Sequence, residues 1–515
     1  MWTVGAPPGR FSARAALSFQ SSLNPLNLDC KAVTQEMTDI ASRVRCHAER
    51  SPGSVALDFD GSEILWSEFA TRVDGFARQL FATVPGNRIA ITLPNGPDLV
   101  VAMFATLKAG KSFQVFDPEW PENIRASVAE TLGPDLVIGA ANIELLLRGE
   151  CGGEAPLDLL PRADVRAPFY TGFTSGSTGT PKGFRRNQLS WLESFRREGE
   201  IFDLSGDDVF VSLGNLAHSL FVYAVFRGLY AGGKTVLYQR FRPDRILHSI
   251  ARTGGSVVYG VPTQYDALIA AAHVGTVLQS VRLILVSGAK LPDALKPPLR
   301  RLFPNALICE FYGTSEHSFI TYARDGEIPS GSVGKPFPGI AVQIRDAAGE
   351  ALPVGGVGRI FVESPLLFDG YELADNPTLE RDGDALFVGD LGYLDEEGFL
   401  FLTGRSDRMF VSSGKNIYPE ELEEVMAAHP SVKYACAMGI EDTRRGQRPV
   451  ALLQLESGRD CSSRELTAWC RERLPLHKVP TRFHQVDDWP MTASQKTDVP
   501  RLREWLNFGS TRTLR

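Results

Sequence analysis

The chain has 515 residues, too many for one hydrophobic core at the usual domain size of roughly 100 to 200 residues. Its composition, 43% hydrophobic and 22% charged, is that of a globular protein and excludes a disordered, collagen-like or coiled-coil chain. Sixty-one acidic against 54 basic residues leave a formal charge of -7, so no broad attraction to nucleic acid or anionic lipid is expected.

Residues 1–32 read as a loose N-terminal tail. Arg10 and Arg14 lie in a start without acids that lacks the unbroken apolar stretch of a secretory signal, with an organelle presequence as the alternative. The seven cysteines are scattered and show no C-x-x-C spacing, which predicts a reducing, cytoplasmic setting. The charge-free candidate for a membrane span, residues 209–226, is interrupted by Ser212, Asn215, His218 and Ser219, so it reads as a core segment and no span is expected.

From residue 33 to 166, helical patterns alternate with short apolar runs at 87–93, 99–107 and 112–116, the rhythm of a layered α/β domain. The runs at 235–237, 256–259 and 282–287 continue it and fit parallel strands with helical crossovers. From about 331 to 406 short alternating strands with turn dipeptides predict a small β-rich subdomain. A polar break, Arg405-Ser-Asp-Arg408, precedes a helix at 419–428 and a strand near 434–438. The fold class is therefore α/β: a large N-terminal domain, 33–406, of layered parallel sheets with helices plus the β-rich subdomain, then a small α+β C-terminal domain, 407–515.

The stretch Thr171-Gly-Phe-Thr-Ser-Gly-Ser-Thr-Gly-Thr-Pro-Lys-Gly183 follows the strand-like pair Phe169-Tyr170. Gly176, Gly179 and Gly183 let backbone N–H groups turn toward an anion, Thr174, Ser175, Ser177 and Thr178 add hydroxyl donors, and Lys182 adds charge. A Walker A loop needs Gly directly before its Lys, and Pro181 stands there. A polar turn between strands is the plain alternative.

This segment resembles the phosphate loop of the adenylate-forming superfamily of AMP-binding enzymes, which includes acyl-CoA synthetases, peptide-synthetase adenylation domains and luciferases. Further patterns follow in that superfamily's order: Ser287-Gly-Ala289, Phe311-Tyr-Gly-Thr-Ser-Glu316, Gly334-Lys-Pro-Phe-Pro-Gly339, Gly389-Asp390, Gly404-Arg-Ser-Asp407 and Ser494-Gln-Lys496. Coverage runs from residue 33 to 506, and it is the ordered set rather than any one pattern that carries specificity.

Tyr312 and Gly313 are expected to end a strand at 308–311, in a sheet crevice where an aromatic face stacks on a purine. By resemblance, ATP and AMP are bound by Phe311, Tyr312, Gly313, Thr314 and Ser315 together with Ser287, Gly288 and Ala289 after their own strand. Glu316 offers a hard oxygen for Mg²⁺ riding on a triphosphate, and the resemblance assigns it that role. Its bland alternative is a solvated surface glutamate. Asp390, after the apolar run 385–388, can accept two hydrogen bonds from a ribose diol, and Arg405 offers a planar fork near the same nucleotide. Asp407 matches the hinge about which the superfamily's mobile C-terminal domain turns, and Gly414 matches the lining of its pantetheine channel. Lys496 resembles the late catalytic lysine that offsets charge between α-phosphate and acyl carboxylate. Gln495 stands where a glycine is usual, and Ser315 where a threonine is. His317 receives no role.

The resemblance implies a two-step reaction: a carboxylate attacks the α-phosphorus of ATP, giving acyl-AMP and pyrophosphate, and a thiol then takes the acyl group. His218 looks like the residue that gates the acyl pocket, with Phe221, Val222, Tyr223, Val225 and Phe226 as candidate apolar walls and ordinary helix core as the alternative. No aspartate lies between Ser212 and Phe226 to pair an ammonium, which argues against an α-amino acid and for a fatty or aryl acid. The segment Gly414-Lys-Asn-Ile-Tyr-Pro-Glu420 resembles acyl-CoA ligases and favours CoA as the thiol. A free-standing enzyme loading an acyl carrier protein is the runner-up. A nucleotide-binding pseudoenzyme is the reading from another class, motivated by Gln495 and the Thr314-Ser315 pair. A nucleic-acid ligase would need a lysine-nucleophile motif and a basic groove, and neither is evident.

Overall fold

The computed structural model describes residues 39–147, 156–174, 181–373, 378–492 and 497–514. The tail 1–32, the loop positions Ser175, Gly176, Ser177, Thr178 and Gly179, and the pair Gln495 and Lys496 lie outside the described residues.

The apolar run 283–286 and its neighbour Val257–Gly260 are buried along their whole length, as strands covered on both faces must be. They sit in a nine-stranded sheet ordered Lys335–Pro336, Ser318–Arg324, Leu307–Thr314, Leu283–Val286, Val257–Gly260, Val209–Ser212, Lys234–Leu237, Val55–Phe59, Ser62–Leu65. Pairing is parallel from Leu307–Thr314 through Val55–Phe59 and antiparallel at both edges. A six-stranded sheet runs Gly370–Leu373, Lys182–Asn187, Pro168–Thr174, Ser112–Val115, Arg88–Thr92, Leu136–Gly139. It too is parallel except for its first two pairings. The expected parallel sheets are thus mixed. Hairpins account for this at several of the edges, because strands joined by a short turn can pair only antiparallel, whereas parallel neighbours need a long crossover.

The run at 99–107 is helix, Pro97–Lys108, buried from Leu99 to Leu107. It fills a layer between the sheets together with helix Ser219–Ala231, which packs on strands of the nine-stranded sheet. Phe226 of that helix stacks on Phe104 at 4.4 Å and lies 5.7 Å from Phe113 and 6.2 Å from Phe169 of the six-stranded sheet. Phe226 is therefore cement between layers and not a wall of an acyl pocket. A burial contrast of this kind, roughly 25 cal/mol per Å² of apolar surface, is what holds the layers together.

Between residues 341 and 405 a third sheet is antiparallel throughout. One apolar cluster spans residues from Ile40 to Leu400, and separate clusters begin at Phe410 and at Cys436. Among the described residues no helix is long and apolar enough to cross a membrane.

Candidate active site

Strand Leu307–Thr314 does not stop at Phe311. Its first half pairs in parallel with Leu283–Val286, and from Cys309 to Thr314 it pairs with Ser318–Arg324 in a hairpin, with a register shift between Tyr312 and Gly313. Tyr312 and Gly313 are therefore inside a strand, contrary to the sequence expectation, because the antiparallel partner keeps supplying hydrogen bonds after the parallel one has ended. The hairpin is tight: a Cβ on Gly313 would stand 1.8 Å from the Ser318 carbonyl oxygen. Ser287 leaves the neighbouring strand here and donates to the Phe311 carbonyl at 3.1 Å. Gly288 follows at φ +85°, and Ala289 comes after it.

Asp390 likewise opens a strand, Asp390–Leu394, where the sequence suggested it closes one. Gly389, at φ +109°, turns the chain out of Ala385–Phe387 and delivers the carboxylate to the Leu307–Thr314 hairpin. Tyr312 Oη donates to Asp390 Oδ2 at 2.5 Å, and Arg405 Nη1 donates to Asp390 Oδ1 at 2.9 Å. Each oxygen keeps a lone pair for a further donor such as a ribose hydroxyl. Burial, then the Asp390 charge, push the Tyr312 phenol well above its ordinary value, so it stays a neutral donor. Arg405 also donates to the Val388 carbonyl at 3.1 Å, and Asp390 and Asp407 overcome the opposing effect of burial to raise its pKa.

Glu316 is 9% exposed, so it is not a solvated surface glutamate. Tyr371, on strand Gly370–Leu373, donates its hydroxyl to Glu316 Oε1. Oε2 has no protein partner among the described residues. No group of three or more His, Cys, Asp or Glu among the described residues could hold a metal. One buried carboxylate with a spare oxygen fits Mg²⁺, which keeps waters and takes nucleotide phosphate oxygens as its other ligands. His317 has a clear structural job. Its Nε2 is 3.0 Å from the Leu386 carbonyl and its Nδ1 3.0 Å from Thr314 Oγ1. Burial lowers its pKa, so the neutral ring donates to Leu386 and accepts from Thr314, tying the Thr314-Ser315-Glu316 turn to strand Ala385–Phe387.

Thr174 and Lys182 face each other in the antiparallel pair Pro168–Thr174 with Lys182–Asn187. They are the two posts of the candidate phosphate loop. His218 caps helix Ser219–Ala231 through its backbone. The loop before it is held by Asn95, which the sequence reading passed over. Asn95 donates to the carbonyls of Gly214 and Tyr238 at 2.9 and 3.1 Å and accepts from Leu216 N–H at 2.9 Å. Its only sequence signal is the turn Pro94-Asn-Gly-Pro97 after an apolar run. Phe221 lies against Gly214, where a Cβ would meet its ring at 2.0 Å.

On the C-terminal side, Arg408 donates to Glu420 and Glu423 of helix Pro419–Ala427 at 3.0 and 2.5 Å, while Arg405 faces Asp390. Asp407 is exposed between these two anchored arginines. Gly414, at φ +76°, turns the exposed hairpin between Phe410–Ser412 and Lys415–Ile417.

Tyr312, Asp390 and Arg405 thus form one hydrogen-bonded cluster, and Glu316, four residues after Tyr312, is held by Tyr371. An AMP-binding enzyme family model matches residues 44–372, and its C-terminal domain model matches 421–496. The chain belongs to the AMP-binding enzyme family. It is 35% identical over 475 residues to YhfT of Bacillus subtilis (strain 168), an uncharacterized acyl-CoA ligase, covering 89% of this chain and 96% of that protein. It is 30% identical over 479 residues to the 2-succinylbenzoate–CoA ligase of Bacillus velezensis, again covering 89% and 96%. Among solved structures, the o-succinylbenzoate CoA synthetase (MenE) of Bacillus subtilis with the acyl-adenylate OSB-AMP is similar at TM-score 0.80 and 26% identity, covering 90% of this chain and 97% of that one. The same synthetase with ATP and magnesium ion gives TM-score 0.80 and 27% identity, covering 90% and 99%. This AMP-binding enzyme has the fold of those proteins, a large N-terminal part and a small C-terminal one.

Proposed function

We propose that this chain activates a carboxylic acid with ATP, releasing pyrophosphate, and transfers the acyl group from acyl-AMP to the thiol of CoA. It is an AMP-forming acid–CoA ligase that uses ATP, Mg²⁺ and CoA. The single observation that carries the site assignment is the convergence of Asp390, Tyr312 and Arg405 beside Glu316 and its spare oxygen.

In this reading Asp390, preset by Tyr312 and Arg405, accepts the ribose hydroxyls, and Tyr312 and the Ser287-Gly-Ala289 turn flank adenine. Lys182 and the loop 174–183 hold the phosphates. Mg²⁺, held by Glu316, neutralises charge on the triphosphate. Lys496 sits with the carboxylate oxygen that bonds to the α-phosphorus as the bond to pyrophosphate breaks. In the second step the CoA sulfur bonds to the acyl carbonyl carbon, AMP leaves as an anion, and the thiol proton passes to solvent. The domains are 33–406 and 407–515, hinged at Asp407, and Gly414 lines the pantetheine path. The bracing of Arg405 on one side and Arg408 on the other supports that hinge.

The acid is fatty or aryl, and the likeness to 2-succinylbenzoate–CoA ligases supports the aryl choice. His218 gates its pocket. The site of action is cytoplasmic, in keeping with the free cysteines Cys309, Cys436, Cys461 and Cys470. The test is acid-dependent release of AMP and pyrophosphate from fatty, aryl, dicarboxylic and amino acids, with and without CoA, alongside Lys496→Ala. CoA-dependent turnover that collapses in the variant is expected. Adenylate that moves only to a phosphopantetheinylated carrier protein would replace CoA by that partner. ATP binding without adenylate from any acid, unchanged in the variant, would make the chain a pseudoenzyme.

A further inference from the structure

Arg186 is 2% exposed, and no carboxylate oxygen among the described residues lies within ion-pair distance of it. A buried guanidinium without a direct counter-ion is costly, and such groups persist where the charge or the fork is used. Nη1 donates to the carbonyls of Ser315 at 3.2 Å and Glu316 at 3.4 Å. Nη2 is buried with no hydrogen-bond partner among the described residues, as is Asp369 Oδ2. Burial pulls the Arg186 pKa down to about 10, with Asp369 and Glu316 as the leading opposing charges. The guanidinium therefore stays charged at neutral pH.

The placement of Arg186 joins two parts of the site. Its strand, Lys182–Asn187, begins at the phosphate-loop lysine. The adjoining strand, Gly370–Leu373, carries Tyr371, which donates to Glu316 Oε1. The segment leading into that strand is fastened back by Asn187 Nδ2 donating to Asp369 Oδ1 at 2.6 Å and by the Asp369 N–H donating to the Arg185 carbonyl at 2.9 Å. Arg186 thus grips the backbone of the Ser315-Glu316 turn from behind, and Tyr371 grips its carboxylate.

We propose that Arg186 is a positioning residue for the metal-binding turn: by holding the Ser315 and Glu316 carbonyls it fixes Glu316 Oε2 relative to the phosphate loop, so that nucleotide and Mg²⁺ bind together. This rests on the reading of Glu316 as the Mg²⁺ ligand. Two charge-assisted bonds from the one nitrogen Nη1 to neighbouring carbonyls set a turn more firmly than a single neutral bond does.

The test compares the full-length chain with Arg186→Met and Arg186→Lys. ATP binding is measured by calorimetry across a Mg²⁺ series and in chelator, with thermal melting as the control for folding. Arg186→Met is expected to raise the Mg²⁺ concentration at half-maximal ATP binding by about tenfold while binding in chelator changes by less than about twofold. Arg186→Lys, which keeps the charge but not the planar guanidinium that carries Nη1 to both carbonyls, is expected to fall between. A lower melting temperature with an unchanged Mg²⁺ midpoint in both variants would show a merely structural arginine and overturn the proposal. If Arg186→Met does not fold, the Lys variant decides on the same midpoint. Glu316→Gln in parallel separates the two ideas: an unmoved Mg²⁺ midpoint there sinks the metal-ligand reading itself, whatever the Arg186 variants do.

Discussion

Tyr312 and Asp390, 78 residues apart in sequence, share a hydrogen bond of 2.5 Å, and Arg405 completes the pair from the other side of the carboxylate. The carboxylate is thus oriented before any nucleotide arrives, and preorganisation of this kind lowers the cost of binding.

Tyr312→Phe removes one neutral donor and is expected to weaken ATP binding by about 1 kcal/mol, roughly fivefold. Asp390→Asn removes the charge that faces Arg405, leaving it Asp407 at 3.6 Å, and should cost about 2 kcal/mol, roughly thirtyfold. Steady-state KM for ATP, with KM for CoA as the internal control, distinguishes the two. Equal effects on ATP and CoA would argue against a ribose role for this pair.

Asn95 uses its whole amide on three backbone groups, joining the loop that leads to His218, at Gly214 and Leu216, to the Tyr238 carbonyl. Asn95→Ala is expected to raise KM for the acid by about tenfold, since buried backbone groups lose their partners and the loop relaxes. KM for ATP should stay within about twofold. A parallel rise in both constants would mean that Asn95 supports the sheets at large and not the acyl side.

Gly313 has no room for a side chain, because the clash at 1.8 Å is with backbone. Gly313→Ala should part the hairpin, remove ATP binding and lower stability by about 2 kcal/mol or more. Fluorescent-nucleotide titration beside urea unfolding reads both. Retained binding would show that the turn Thr314-Ser315-Glu316 is set without the hairpin.

His47 is buried, 3.0 Å from the Tyr230 carbonyl through Nε2, and burial lowers its pKa from 6.5. The unfolded chain therefore takes the proton first. Its contribution to stability is complete above the unfolded value and is lost as pH falls from there toward the folded one. Melting temperature should drop between pH ~7.5 and ~5.5, and His47→Gln should flatten part of that slope. An unaltered slope would place the proton uptake on other histidines.

Local features were legible before folding was considered. Glycines and hydroxyls at 174–183, small residues at 287–289 and the Gly389-Asp390 step declare themselves because backbone freedom and side-chain chemistry are properties of neighbours in sequence. The same holds for the alternation of apolar runs with helical patterns, which follows from the two periodicities of buried elements. Where the strands ended was less legible: Tyr312 and Asp390 were each assigned to a strand end and lie inside or at the start of one, since pairing partners are not written in the segment itself.

The amino-acid order by itself determined that this chain is a layered α/β enzyme with a glycine- and hydroxyl-rich segment at 174–183, a glutamate of the type that suits a metal and an aspartate of the type that suits a ribose diol. Only the tertiary structure decided that Tyr371 holds Glu316, that His317 pins its turn to residue 386, that Asn95 braces the loop before His218, and that Arg186 lies buried against the Ser315 and Glu316 carbonyls. Each of these links joins elements far apart in the chain. Hydrogen bonds and burial at such distances depend on which surfaces the packed sheets bring together, and no local pattern encodes that.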